Sequence, residues 1–215
     1  MTVVRLGTAP RAAGLSYAAF QEHWSGQHAG VAAGLPGLRR YVQNHAVLQD
    51  GRPLLPYAGF DACSEIEFDS VQAMDAAFAS EFYRSDVTAD EHSLIDRPRF
   101  MLALLERRVL ADGPREGVKL LSFWRATARA GTGELAEALS GAWPAPARHE
   151  QLLALGGAHD GRPGPVCDAV DVLWFADAPA ALAFLDGDAA QEGHWRLAGI
   201  GACVGRLIAR EITVV

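Results

Sequence analysis

The chain has 215 residues, half of them hydrophobic and 21% charged, which is enough for one large domain or two small ones with a buried core. Its 26 acidic and 19 basic residues give a net charge of −7, which argues against a nucleic-acid or anionic-membrane partner and serves solubility. Cys63, Cys167 and Cys203 are an odd count without CxxC spacing, so neither a disulfide framework nor a zinc ribbon is expected.

Thr2–Gly7 reads as a short β-branched strand. Ser16 is an N-cap candidate for a helix that runs to about Gly34, with Gly34 and Pro36 as stop signals. On this helix Phe20, Trp24 and His28 follow at i, i+4 and i+8 on one face, and His23 and Gln27 form the adjacent row. Leu38–Leu48 alternates like a strand, with Arg39, Tyr41, Gln43 and His45 on one face and Val42, Ala46 and Leu48 on the other. Asp50-Gly51 is a turn signal, and Phe60–Phe68 alternates again. Ser70 caps a second helix with a Val71, Met74, Phe78 stripe, and Phe100–Leu110 reads as a central strand.

Pro114 and Gly117 bracket a short hinge, after which the pattern returns. Strands are expected over Val118–Arg125, within Ala147–Leu155, over Cys167–Phe175 and near Ala202–Val214, with helices near Thr132–Gly141 and over Ala178–Leu185. Asp50-Gly51-Arg52-Pro53 returns as Asp160-Gly161-Arg162-Pro163. Asp61-Ala62, Ser64, Ile66 and Phe68 return as Asp168-Ala169, Asp171, Leu173 and Phe175, and Ser25-Gly26 matches Ser140-Gly141. The ordered set predicts an α+β fold of two ferredoxin-like βαββαβ repeats, residues 1–113 and 114–215. Their bare sheet faces are expected to pack on each other as an eight-stranded barrel-like sandwich, with helices outside and a cavity between the sheets.

Phe20, His23-Trp24 and His28-Ala29, followed by Pro36-Gly37-Leu38-Arg39-Arg40-Tyr41 and Gln43-Asn44, resemble the EthD family of the dimeric α+β barrel superfamily. Arg99-Phe100 fits more loosely, and the likeness covers roughly residues 1–110. The second half keeps the pattern of the fold without the helix motif, so any chemistry of the histidines belongs to the first half. The resemblance implies a small hydrophobic substrate and a link to oxidative degradation of small organic compounds. Related barrels include cofactor-free monooxygenases, polyketide cyclases, decarboxylases, lactone isomerases and haem proteins, so the reaction does not follow from the fold.

The residues themselves allow two readings at most positions. His28 is either a helix-anchoring histidine or a general acid or base at the cavity rim, where an unperturbed imidazole suits proton transfer near neutral pH. The polar row Arg39, Tyr41, Gln43 and His45 is expected to face the cavity, satisfied by a ligand or by water and Glu65 or Glu67. This expectation makes Tyr41, His28 and His45 the candidate acid and base, and Arg39 or Gln43 the holder of a developing oxyanion. Trp24 and His23 join as binding residues. His92 and His194 recur before the last strand of each copy, where they read as exposed loop histidines or as closing one end of the cavity. His149 sits where Tyr41 sits in the first copy, and Trp124 and Trp174 read as core or as an aromatic platform. Cys63 lacks an evident basic partner and reads as a small strand residue.

No metal is expected, since His23 and His28 are not spaced as a helical metal pair. No cofactor is expected, because no phosphate-cradling loop and no haem-attachment motif is present. The first residues lack the features of a secretory signal, and no apolar run reaches membrane-spanning length. The expectation is a soluble cytoplasmic protein with reduced thiols, whose exposed edge strand leaves room for a homodimer. The function expected is acid–base lyase chemistry (a cyclase, dehydratase or decarboxylase) on a small aromatic or polyketide-like molecule. Cofactor-free oxygenation and non-catalytic binding are the alternatives.

Overall fold

The computed structural model describes residues 2–144, 146–156 and 166–215. The second Asp-Gly-Arg-Pro turn, Asp160–Pro163, lies outside the described residues. The first half supplies strands β1 (Val3–Ala9), β2 (Arg40–Ala46), β5 (Ala62–Phe68) and β6 (Met101–Ala111), with a small hairpin of β3 (Leu48–Gln49) and β4 (Arg52–Pro53). The second half supplies β7 (Val118–Ala126), β8 (His149–Ala154), β9 (Ala169–Phe175) and β10 (Gly201–Thr213). All pairings are antiparallel, and the order β1-β5-β2-β10-β7-β9-β8-β6 closes into a barrel. Within each half the first strand lies between the third and the fourth, and the second strand lies outside the third.

Two sheets with a cavity between them were expected; the sheets instead join at both edges. Strand β10 pairs with β2 from Ala209↔Ala46 to Thr213↔Val42, and β6 pairs with β8 from Leu105↔Ala154 onward. Closure uses the strand edges on which a further dimer was expected to rest. Among the described residues the centre is packed with side chains. Leu6, Leu105, Leu121, Phe123, Val172 and Trp174 form one buried interior cluster, and Cys63 is fully buried among them, its thiol pushed up by burial.

One end of the interior is ionic. Lys119 is about 1% exposed, and its ammonium meets Asn44 Oδ1 at 2.9 Å, Glu65 Oε1 at 3.1 Å and Glu211 Oε2 at 2.6 Å. Arg107 reaches Glu65 at 2.6 Å and Glu67 at 2.8 Å and also pairs with Glu150, which in turn binds Arg115 and Arg148. Buried charges persist in a fold only when paired and hydrogen-bonded, and here every carboxylate faces at least one cation.

The helices cover the outer wall. Ser16 caps the first, accepting from the Ala19 amide at 3.1 Å. That helix runs through Tyr17–His23, a π-helical turn at Trp24–His28 and Ala29–Ala32. Ser70 and Asp177 cap the helices over Val71–Phe78 and Ala178–Asp186 in the same way. Two segments read as loops are helical: Tyr83–Leu94, which begins with a π turn over Tyr83–Val87, and Asp188–Leu197. No helix among the described residues is long and apolar enough to cross a membrane.

Candidate active site

The strand alternation of β2 was expected to turn Tyr41, Gln43 and His45 into an inter-sheet cavity. They face the helices instead, while Asn44 and Ala46 point into the barrel. The reason lies on both sides of the strand. Inside, Asn44 is needed by Lys119 and Glu65. Outside, the Trp24 carbonyl accepts the Ala29 amide of the π turn and has a second acceptor site open to the strand, where Gln43 Nε2 donates at 2.7 Å. Glu65 and Glu67, expected as partners of the polar row, belong to the interior ion network.

The candidate site is therefore a cavity between the outer face of the first half's sheet and the helices Tyr17–Ala32 and Tyr83–Leu94. It is partly enclosed, with ≈ 490 Å³ of free space when the open solvent at its mouth is counted. Gly7, Ala9, Ala62 and Ser64 make a floor of small side chains. A Cβ on Gly7 would meet Ser64 Oγ at 2.9 Å and the Phe100 ring at 3.1 Å, so any larger residue there intrudes on the floor. The walls carry Trp24, Phe78, Tyr83 and Phe100, with Arg5, His28, Tyr41 and Glu91 as the polar groups.

His28 and Asp90 form the best-defined polar pair of the cavity. His28 Nδ1 lies 2.8 Å from Asp90 Oδ2, and Asp90 is only 7% exposed. The other carboxylate oxygen takes His23 Nε2 at 2.8 Å and Gln27 Nε2 at 2.5 Å. Burial raises the Asp90 pKa, but hydrogen bonds from His23 and His28 outweigh it and hold the group below the usual carboxylate value. An ionised Asp90 is an acceptor only, so it fixes the proton of His28 on Nδ1 and leaves the Nε2 lone pair free among the described residues.

Tyr41 is 1% exposed and lines the same cavity. Burial pushes its phenol above the ordinary value, against hydrogen bonds from Gln43 and Trp24, so the group is neutral at working pH. Gln43 Nε2 donates to the Tyr41 oxygen at 2.9 Å, which leaves the phenolic proton available for donation. His45 stands one step behind: its Nε2 donates to Gln43 Oε1 at 2.8 Å, and its ring stacks on Trp24 at 4.5 Å. Burial lowers its pKa to about 4, and it borders the solvent groove beside Gln21 and Arg210, not the cavity.

The remaining expected residues are dispersed. Arg39 pairs on the surface with Asp69, both 62% exposed, so it holds no oxyanion in this cavity. His92 is exposed and bonds the Thr88 carbonyl of its own helix at 2.6 Å. His149 is buried on the far side of the barrel, bound to Asp171 at 2.7 Å. His194 packs against Trp124 and Trp143. Trp174 belongs to the barrel interior.

In the second half the equivalent space is filled. Register aligns Gly7 and Ala9 on β1, opposite Ser64 and Ala62, with Ser122 and Trp124 on β7, opposite Asp171 and Ala169. Trp124, 2% exposed, lies where the first half has a methyl group. Trp124→Ala is expected to destabilise the protein by about 3–5 kcal/mol in urea denaturation, the usual cost of emptying a large aromatic site. A cost below about 1 kcal/mol would show that Trp124 does not plug this half.

Arg5 and Tyr83 of the cavity lining, and Asp90 behind His28, carried no expectation. Asp90 was signalled by Tyr83, Val87, Asp90 and Leu94, an amphipathic helical period inside the segment taken as a loop. Arg5 was signalled by its place among Val3, Gly7 and Ala9 on one strand face, an unusual setting for a charge.

This architecture is a closed α+β barrel with helices outside and a cavity beneath the helices of its first half. Residues 12–98 match the family model described as the EthD domain, a stretch that carries both helices over the cavity and the strands of Tyr41, Ala62 and Ser64. No curated protein matches the sequence. Among solved structures, an anthrone oxidase-like protein is 14% identical, with 99% of this chain and 93% of that chain covered and a TM-score of 0.65. A proposed monooxygenase from Lactobacillus acidophilus NCFM is 10% identical over 100% and 94% of the two chains, with a TM-score of 0.54. A variant chlorite dismutase from Candidatus Nitrospira defluvii is 8% identical over 99% and 92%, also at 0.54. At these identities the likeness is one of fold.

Proposed function

We propose that the protein is a cofactor-independent enzyme that binds a small aromatic or polyketide-like molecule in the sheet–helix cavity of its first half. In this reading His28 Nε2 removes a proton from an acidic C–H of the substrate, and Asp90 stabilises the imidazolium that forms. The Tyr41 hydroxyl donates to the oxygen on which the negative charge collects. The carbanion then reduces dioxygen. With anthrone as the probe, the methylene C–H bonds break, a C=O bond forms, and anthrone plus O2 gives anthraquinone plus water.

The observation that supports this most is the pairing of His28 with a buried, ionised Asp90 at the wall of a cavity that also holds a neutral phenol. His28→Gln is expected to lower oxygen uptake and anthraquinone formation on the order of 10²- to 10⁴-fold, the usual worth of a positioned base. Uptake unchanged in the variant would remove His28 from the mechanism. The presence of both a base and an acid, His28 and Tyr41, also favours a second reading, a cyclase, dehydratase or decarboxylase without oxygen. Product formation that continues without oxygen consumption would select it. Binding without turnover in the wild type would select a carrier.

The restriction of the site to one half is part of the same proposal: residues 1–113 and 114–215 are two copies of a ferredoxin-like unit. A shared device supports the duplication. Gln43 donates to the Trp24 carbonyl, and Gln151, at the matching register on β8, donates to the Ala136 carbonyl at 3.1 Å. The first copy retained the cavity, and the second copy filled it.

A further inference from the structure

We propose that the substrate is an aromatic acid whose carboxylate is held by Arg5. The proposal rests on the reading of this cavity as the substrate site and names what the site selects.

Arg5 projects from β1 into the cavity, and its guanidinium carbon lies 3.9 Å from the centre of the Phe78 ring and 4.9 Å from that of Phe100. Among the described residues no oxygen accepts a hydrogen bond from it, and no carboxylate is within ion-pair distance. The nearest acid, Glu91, is already engaged: Tyr83 donates to it at 3.2 Å and Arg97 Nε approaches it at 3.4 Å. Arg5 thus differs from Lys119, Arg107 and Arg148, enclosed cations that are paired with carboxylates.

A guanidinium stacks through its face and donates through its edge. Its five N–H groups lie in its plane in a fork that matches a carboxylate. With the rings of Phe78 and Phe100 against Arg5, the free edge is the part left for a ligand. A carboxylate there would form two parallel charge-assisted hydrogen bonds, shielded from water by the aromatic walls. The apolar body attached to that carboxylate then lies among Trp24, Phe78 and Phe100. A neutral hydrocarbon would offer this fork no acceptor and would displace the water that answers it, which a polar site penalises.

The test is calorimetric binding of 2-naphthoate and its neutral isostere 2-naphthamide to the full chain, to Arg5→Met and to His28→Gln. The wild type is expected to prefer the acid by about 10- to 100-fold, the usual range for a buried hydrogen bond to a charged group. Arg5→Met should erase the preference, and His28→Gln should keep it. Because Arg5 makes no hydrogen bond to the described residues, the Met variant is also expected to melt no lower than the wild type, an outcome that a structural role for Arg5 would reverse. If the Met variant does not fold, Arg5→Gln, which is neutral but polar, should likewise lose the preference. Equal binding of acid and amide by the wild type, or a preference that survives loss of the charge, overturns the proposal. Failure of the catalytic reading appears elsewhere, as undiminished turnover in His28→Gln with the acid preference intact.

Discussion

Asp90→Asn is expected to lower turnover on the order of 10²- to 10⁴-fold while the protein remains folded. The carboxylate accepts from His28 on one oxygen and from His23 and Gln27 on the other. An amide has one acceptor oxygen and one donor nitrogen, so it satisfies only one side. If its nitrogen turns to His28, the imidazole must present Nδ1 as acceptor and carry its proton on Nε2, the wrong form for a base. In either orientation the full negative charge that favours the imidazolium is gone. The loss should therefore appear in kcat, with KM little changed, since Asp90 does not line the cavity. His23→Gln is the matched control: it loosens the same carboxylate from the exposed side and should cost far less. A kcat within threefold of wild type in Asp90→Asn, judged against the ~10²-fold floor for a positioned base, would mean that the pair is structural.

The largest effect on stability is expected at Glu65. This residue is 1% exposed inside the barrel, bonded to Lys119, Arg107 and Asn44. Burial alone would raise its pKa, but the charges of Lys119 and Arg107 prevail and hold it well below the ordinary value. Replacing Glu65 with Ala leaves Lys119 and part of Arg107 uncompensated, and such a break typically costs about 3–5 kcal/mol. The sign of the pH dependence follows from the depressed pKa. The stabilisation is complete above the unfolded value of about 4.3 and is lost as pH falls toward the folded value, where the native carboxylate takes up its proton. Urea midpoints of the wild type should thus be flat above about pH 5 and fall steeply below it, whereas the variant starts lower and falls less. A variant as stable as the wild type at pH 7 would show that the ion network is dispensable.

The places where sequence and structure part company have physical causes. The main strands were legible because alternation and turn chemistry are local, and the caps Ser16 and Ser70 because they are set by one side chain and one amide. Alternation on β2 separated Tyr41, Gln43 and His45 from Val42 and Ala46 correctly, yet it could not say which face looks inward. That choice was made by residues distant in sequence: Lys119 drew Asn44 into the barrel, and the π turn at Trp24 drew Gln43 out. The ionic end of the barrel was illegible for the same reason, since Arg107, Glu150 and Glu65 lie on three different strands. His28 and Tyr41 do meet at one cavity, but between sheet and helices and not between sheets. Arg39 was misplaced because a strand end continues the alternation on paper while it lies in solvent in the fold. Asp90 was missed because its place in the site depends on a contact with His28, 62 residues away in sequence, and its helical period puts a carboxylate on the buried side.

The central claim is that His28 acts as a base in the first-half cavity. Loss of deuterium from methylene-deuterated anthrone, followed without oxygen in ordinary water, isolates that proton transfer from everything after it. The account predicts that the wild type accelerates the loss and that His28→Gln, folded and still able to bind 2-naphthoate, returns it to the uncatalysed rate. Exchange as fast in the variant as in the wild type would contradict it.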